Sequence, residues 1–235
     1  MSELARQAAT LSLELSPEMV AQFTRYQALL QEWNQRMNLT AIDDPVGIQV
    51  RHFLDALTCA TVTGDLSGQR LVDVGTGAGF PGLPLKILYP ALRLTLVESV
   101  SKKTDFLRAV VAELGLEGVT IIDERAEMLG QQAAHRAQYD WAVARAVAAL
   151  PVLVEYLLPL CRVGGHALAQ KGENAAAEVK AATNAIQCLG GGTPELHPVQ
   201  LPGNEEIYYL VVIEKVAATP AKYPRRPGRP AKRPL

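Results

Sequence analysis

Three glycines at alternate positions directly behind an acid, Asp73-Val74-Gly75-Thr76-Gly77-Ala78-Gly79, form the segment richest in chemistry. Gly75, Gly77 and Gly79 permit a sharp turn and let the backbone lie against a ligand, because no Cβ intervenes. Phe80-Pro81-Gly82 follows, and Pro81 fits the first position of a helix whose N-terminus favours a carboxylate nearby. Further on, Glu98 ends an apolar run, where an acid typically accepts hydrogen bonds from ribose hydroxyls. These features describe a nucleoside-containing cofactor on a strand–turn–helix unit. A nicotinamide site wants a glycine three places after its second one, and that position is Phe80; it also rarely carries an acid two residues before the first glycine.

Other polar residues stand where chemistry is to be expected. Arg145 and Lys171 each follow an apolar run that reads as a parallel strand, and charges at such strand ends are uncommon without a ligand. His52 and Asp55 share one helix face, as a surface pair or as part of a site. Asn38 caps a turn or lines a cleft. Cys59, Cys161 and Cys188 lack metal-ligand spacing and read as reduced thiols buried in helices, with Cys161 well inside an apolar one. No metal site is expected.

These residues need a scaffold, and the hydrophobic pattern supplies it. Met19, Phe23, Tyr26, Leu29, Leu30 and Trp33 make one helical stripe after a Ser16-Pro17 cap, and a second helix is expected from Pro45 to Ala60. Gly64 and Gly68 mark a boundary, so residues 1–62 read as a helical extension packed on the core. Short strands at 71–74, 94–97, 119–122, 141–144 and 166–169 then alternate with helical patterns. Such alternation predicts an α/β fold: a mostly parallel, doubly wound sheet over residues 63–217. Glu195 to Leu201 and Ile207 to Val216, joined by Pro202-Gly203-Asn204, must pair antiparallel, since a parallel pair needs a long crossover.

Charge is distributed unevenly. The chain is −1 overall, yet Lys222, Arg225, Arg226, Arg229, Lys232 and Arg233 give residues 221–235 a charge of +6, which leaves −7 for residues 1–220. A basic, proline-rich tail (218–235) on an acidic body suits an extended arm gripping a polyanion such as RNA, and equally a solvated, disordered terminus without a partner. It should form neither helix nor central strand, and Tyr223 and Leu235 could pin it to the body. The polar N-terminus lacks a signal-peptide pattern, and the longest apolar stretch is broken by Pro151, Glu155 and Pro159. A cytoplasmic monomer without membrane contact is expected.

Asp73-x-Gly75-x-Gly77-x-Gly79, with Glu98 behind it and a reversed terminal hairpin, resembles motif I of the Rossmann-like class I methyltransferases. That resemblance implies S-adenosyl-L-methionine as cofactor, and it places Asp123-Glu124-Arg125-Ala126-Glu127 against the adenine edge; a solvated helix start suits the same charges. Arg145-Ala146-Val147 stands where exocyclic-amine enzymes carry an Asn/Asp-Pro-Pro-aromatic sequence, and no attacking cysteine or carboxylate cluster is found. Beyond motif I the chain resembles the RsmG (GidB) family of 16S ribosomal RNA guanine-N7 methyltransferases along nearly its whole length. The matching segments are Trp33-Asn34-x-x-Met37-Asn38-Leu39-Thr40, Arg51-His52-x-Leu54-Asp55 and Val72-Asp73-Val74-Gly75-Thr76-Gly77-x-Gly79-x-Pro81-Gly82. Arg125-x-Glu127, Ala144-Arg145-Ala146, Lys171-Gly172 and the tail from Tyr223-Pro224-Arg225-Arg226 to Pro234-Leu235 complete them.

The resemblance implies cofactor contacts at Gly75, Phe80, Ala126, Glu127 and Arg145, to which motif logic adds Gly77, Gly79 and Glu98. It implies an active-site or RNA-facing role for Asn38, His52, Asp55, Arg125, Arg145 and Lys171. The partner implied is 16S rRNA or the small ribosomal subunit, with the target guanine in its decoding-region loop. Two other functions remain open from the residues alone, a small-molecule methyltransferase and a non-catalytic nucleotide-binding protein.

Overall fold

The computed structural model describes residues 2–204 and 206–235. Five strands, β1 (Arg70–Val74), β2 (Arg93–Glu98), β3 (Val119–Asp123), β4 (Tyr139–Arg145) and β5 (Cys161–Lys171), run parallel. β6 (Glu195–Gln200) and β7 (Ile207–Glu214) form a hairpin whose second strand inserts beside β5, antiparallel to both neighbours. The order β3-β2-β1-β4-β5-β7-β6 reverses direction between β1 and β4. A crevice opens at such a reversal, at the carboxyl ends of the strands. The glycine turn follows β1 and Arg145 ends β4, so both stand at that crevice.

Helices cover both faces because the strands are apolar on both. Along β1, Leu71 packs into one core cluster while Val72 and Val74 pack into the other. The first cluster joins α6 (Gly82–Leu88) and α7 (Ser101–Glu113) to the N-terminal helices; the second joins α8 (Ala126–Leu129), α9 (Leu150–Leu157) and α10 (Ala175–Cys188). α1 (Glu3–Thr10) precedes α2 (Pro17–Met37), which begins as its cap signal requires, with the Ser16 hydroxyl accepting the Met19 N–H at 3.2 Å. Tyr26 of α2 stacks on Phe80 at 5.5 Å between ring centroids, so the N-terminal helices share a core with the segment behind the glycine turn. The expected helix from Pro45 is α3 (Pro45–Ile48), a π-helical stretch at Gln49–Leu54, and α4 (Asp55–Leu57), followed by α5 (Ala60–Thr63). Widened turns of this kind are frequent at functional sites, and this one carries His52.

Several expectations need correction. Cys161 does not lie inside a helix: it heads β5, where burial pushes its thiol up to about 12. β5 starts earlier than its apolar run because the ladder with β4 passes over Arg162 to Gly165, from the Tyr139–Cys161 pair to Trp141–His166. Cys59 is buried in the turn before α5, and Cys188 is exposed. Pro81 precedes the helix it was expected to start. The first helical residue is Gly82, whose N–H donates to Asp73 at 2.8 Å, a bond proline cannot make.

The tail is not an extended arm. Residues 220–235 fold back over α8 and α9 and include one helical turn, α11 (Arg229–Lys232), entered at Pro230. Arg225 holds the fully buried carboxylate of Glu155 with its backbone N–H (2.7 Å) and its guanidinium (2.6 Å). Arg136 donates to the Tyr223 carbonyl at 2.6 Å, and Tyr223 itself is buried. A proline-rich strand of chain docks here because backbone donors and acceptors that cannot form a ladder are met by side chains of the body. No helix among the described residues is long and apolar enough to cross a membrane.

Candidate active site

The glycine turn is open towards the crevice on one side and tight on the other. Gly75 and Gly77 have φ of +68° and +60°, a left-handed conformation that disfavours any side chain. A Cβ on Gly75 would lie 2.7 Å from Val147, whereas one on Gly77 would meet nothing within 4 Å. Gly79 is bare for packing: its missing side chain is replaced by Leu83 and the Tyr26 hydroxyl. Phe80 is buried, with Tyr26 on one side of it and the His52 ring stacked at 4.7 Å.

Beneath the turn lies Asp73, fully buried. Its Oδ2 accepts the Thr76 hydroxyl at 2.6 Å and the Gly82 N–H at 2.8 Å, while Oδ1 is buried with no partner. Burial lifts this carboxyl to about 6, against the pull of those donors. Glu98 is also buried, and its two oxygens accept the Gly77 N–H (3.1 Å) and the Val100 N–H (2.9 Å), each keeping a free lone pair. An orphaned acceptor beneath a bare turn and a fixed carboxylate beyond it fit a ligand with a cationic end and a diol. Ala126 and Glu127 are buried at the start of α8; Glu127 Oε1 accepts the N–H of Gly228 in the tail at 2.9 Å.

Across the crevice, Arg145 is the hub. Its Nη1 donates to Asp55 at 2.7 Å and to the Arg51 carbonyl at 3.2 Å, its Nη2 lies 3.3 Å from His52 Nδ1, and its guanidinium sits 4.8 Å above the Phe80 ring. His52 Nε2 meets the Thr40 hydroxyl at 2.7 Å. Burial, then the Arg145 charge, pushes His52 down to about 4, so its ring is neutral near pH 7. Burial raises the Asp55 carboxyl, and Arg145 opposes that rise. Lys171 donates to the Ala148 carbonyl at 2.6 Å and pairs with Glu178 at 2.8 Å, which ties the end of β5 to the loop before α9 and to α10.

A cavity of about 480 Å³ is lined by His52, Asp55, Arg145 and Lys171, with a wall from the β6–β7 hairpin that includes Leu201, Tyr208 and Tyr209. These four of the expected polar residues converge. Asn38 and Arg125 do not: both are exposed, Asn38 at the left-handed end of α2 and Arg125 as the residue before α8. Sequence reasoning passed over Thr40, Gln170, Tyr208 and Tyr209. Thr40 stood inside a matched segment, but the hairpin tyrosines reach the cavity only because β7 pairs Tyr209 with Lys171. No cluster of three or more His, Cys, Asp or Glu able to hold a metal occurs among the described residues.

Known proteins resemble the chain in sequence and in fold. The chain is 54% identical over all 235 residues to ribosomal RNA small subunit methyltransferase G of Roseiflexus castenholzii, covering 100% of both chains. It is 48% identical to the protein of the same name from Alkaliphilus metalliredigens, over 96% of this chain and 94% of that one. Among solved structures, a SAM-dependent O-methyltransferase from Thermotoga maritima superposes with a TM-score of 0.54 at 17% identity, covering 81% of this chain and 72% of that one, which shows a shared fold. The family model described as rRNA small subunit methyltransferase G matches residues 19–204, and the chain therefore belongs to the GidB family, an enzyme family of methyltransferases.

Proposed function

We propose that this enzyme transfers a methyl group from S-adenosyl-L-methionine to N7 of one guanine in the decoding-region loop of 16S rRNA, by direct in-line displacement. The observation that carries the reading is the junction at Phe80: the glycine turn runs into this ring, and Arg145 and neutral His52 lie on it at the mouth of the cavity. Cofactor-facing and substrate-facing residues thus meet at one side chain. When bound, S-adenosyl-L-methionine supplies an electrophilic methyl group on a sulfonium centre.

Guanine N7 has an in-plane lone pair and no proton to lose, so the chain needs no general base. The cavity suits that requirement, because Arg145 and Lys171 are both committed to carboxylates and His52 is neutral. Their work is to orient and to exclude water, and alignment of this kind contributes about 7–11 kcal/mol in favourable systems. Arg145 and Lys171 face guanine O6 or phosphate rather than N7, since the familiar bidentate arginine grip on O6 and N7 would occupy the attacking lone pair. Asp73 and Glu98 hold the amino-acid end and the ribose of the cofactor, Gly75 and Gly77 admit it, and Ala126 and Glu127 face its adenine. The basic tail contacts RNA phosphates, the enzyme acts as a monomer, and the cytoplasm is its compartment.

The test is tritiated methyl incorporation into deproteinised small-subunit rRNA, intact small subunits and a pool of small metabolites, followed by nucleoside analysis. Label in 7-methylguanosine from either RNA preparation supports the reading. Label only in metabolites, or cofactor binding without transfer to anything, overturns it in favour of a small-molecule enzyme or a binding protein.

A further inference from the structure

The tail has two sides, and they face different partners. Its inner side is spent on the body: Arg225 on buried Glu155, and the Gly228 N–H on Glu127 at the entrance to α8. Its outer side carries Arg226, Arg229, Lys232 and Arg233, all exposed, around a shallow concavity of about 320 Å³. Tail residues alone line that concavity, and none of these four cations has a carboxylate partner among the described residues. The inner bonds orient a residue assigned above to the cofactor; the outer cations repel one another until an anion neutralises them.

We infer that the C-terminal tail is a strap linking RNA contact to cofactor binding, in which phosphates bound on its outer side stabilise the docked state that orders Glu127. This rests on the reading that Glu127 serves the cofactor and RNA is the substrate. Linkage is reciprocal, so RNA must tighten cofactor binding by the factor by which cofactor tightens RNA binding. Cofactor must also hold the strap down. Opening is visible to trypsin, because Lys222–Tyr223 and Arg225–Arg226 are cleavable bonds on the docked segment, whereas the bonds after Arg226, Arg229 and Arg233 precede proline and resist cleavage.

The experiment measures adenosylhomocysteine affinity by calorimetry, with and without deproteinised small-subunit rRNA, on the full chain. RNA should tighten binding about fivefold or more, the scale of a modest coupling. In the variant with Arg226, Arg229, Lys232 and Arg233 all changed to Gln, affinity without RNA should be at least as tight as in the unaltered protein, because the mutual repulsion is gone, while the RNA effect disappears. The log–log salt slope of RNA binding should fall by up to about 3, at roughly 0.7 per phosphate released. Arg225→Lys, which retains a charge for Glu155 but not the forked contact, should weaken cofactor affinity and speed cleavage after Lys222 and after position 225, where lysine is still a tryptic site. If that variant does not fold, slower tryptic cleavage of the unaltered chain at saturating adenosylhomocysteine tests the same link. Independent binding of RNA and cofactor, or cleavage indifferent to adenosylhomocysteine, overturns the strap. Should methyl transfer to rRNA persist alongside independent binding, the strap fails and the proposed function stands; no transfer to rRNA removes the function itself.

Discussion

Gly75 and Gly77 share a left-handed backbone yet differ in what surrounds them, and substitution separates the two. Gly75→Val drives a branched side chain into Val147, so it damages packing as well as any ligand contact. Gly77→Ala meets open space, and its cost to the fold is the strain of a left-handed alanine, about 1–2 kcal/mol. We expect calorimetry to show a large loss of cofactor affinity for Gly77→Ala with only a small drop in the urea midpoint; unchanged affinity would remove this turn from the site. His52 gives a second test. Its value near 4 lies below the usual 6.5, so the folded state favours the neutral ring. The stability it contributes is present above about pH 6.5 and is lost as pH falls towards 4. Asp73, raised to about 6, works in the opposite direction across much of that window, so the unaltered protein conceals the effect. His52→Gln should therefore lose less stability than the unaltered protein on acidification from about pH 6.5 to 4.5, read from melting temperatures of both. The single-turnover methyl-transfer rate should be nearly flat between about pH 6 and 8.5, since no general base titrates there. Asp73, Glu98, Arg145 and Lys171 were legible as site residues because each ends a strand or sits within a turn of one. Tyr208 and Tyr209 were not, because their positions depend on a long-range register that local pattern does not encode, and Thr40 was not because its contact with His52 depends on how the turn after α2 packs on the helix from Pro45.

At the scale of elements, the ion pair between Arg225 and Glu155 decides how the tail behaves. Glu155 is on α9 with no exposed surface, and Arg225 is its only cationic partner among the described residues. Arg225→Ala strands a buried carboxylate, which costs about 3–5 kcal/mol, whereas removing Glu155 together with Arg225 in favour of apolar residues of similar volume costs far less. Chemical denaturation of the single and double variants checks this, and a single variant as stable as the parent would mean that the tail detaches freely in solution. Truncation after Thr219 accordingly destabilises the body as well as weakening RNA binding, contrary to what an extended arm would do. The parallel strands and α2 were legible from apolar runs and from the Ser16-Pro17 cap. The docked tail was not: proline and arginine content reports poor regular structure, but it carries no signal that Glu155, buried in a helix otherwise apolar in pattern, awaits a partner. The early start of β5 was hidden for a related reason, since Arg162 to Gly165 break the apolar pattern and are held in the strand by backbone bonds of Gly164 and Gly165 with Lys215.

For the molecule as a whole, a body at −7 repels RNA at long range, and under the proposal that the tail contacts RNA, attraction is confined to the tail and the cleft cations. Such a distribution favours binding in one orientation, with the tail leading, and moderate salt weakens it by screening. This mixed sheet also has two open margins, β3 and β6. On β6, Pro198 is exposed and opposite Tyr209, and it contributes no N–H to the outer side of the strand. An incoming strand of another copy would find that row of donors interrupted and flanked by the charge of Glu195 and the polar ring of His197. Pro198→Val restores a continuous row, and we expect light scattering to record faster self-association at high protein concentration with catalysis intact. If that outcome is met, a single imino acid at the rim of the sheet holds an otherwise adhesive margin back from edge-to-edge growth, and so preserves the supply of free enzyme on which RNA modification depends.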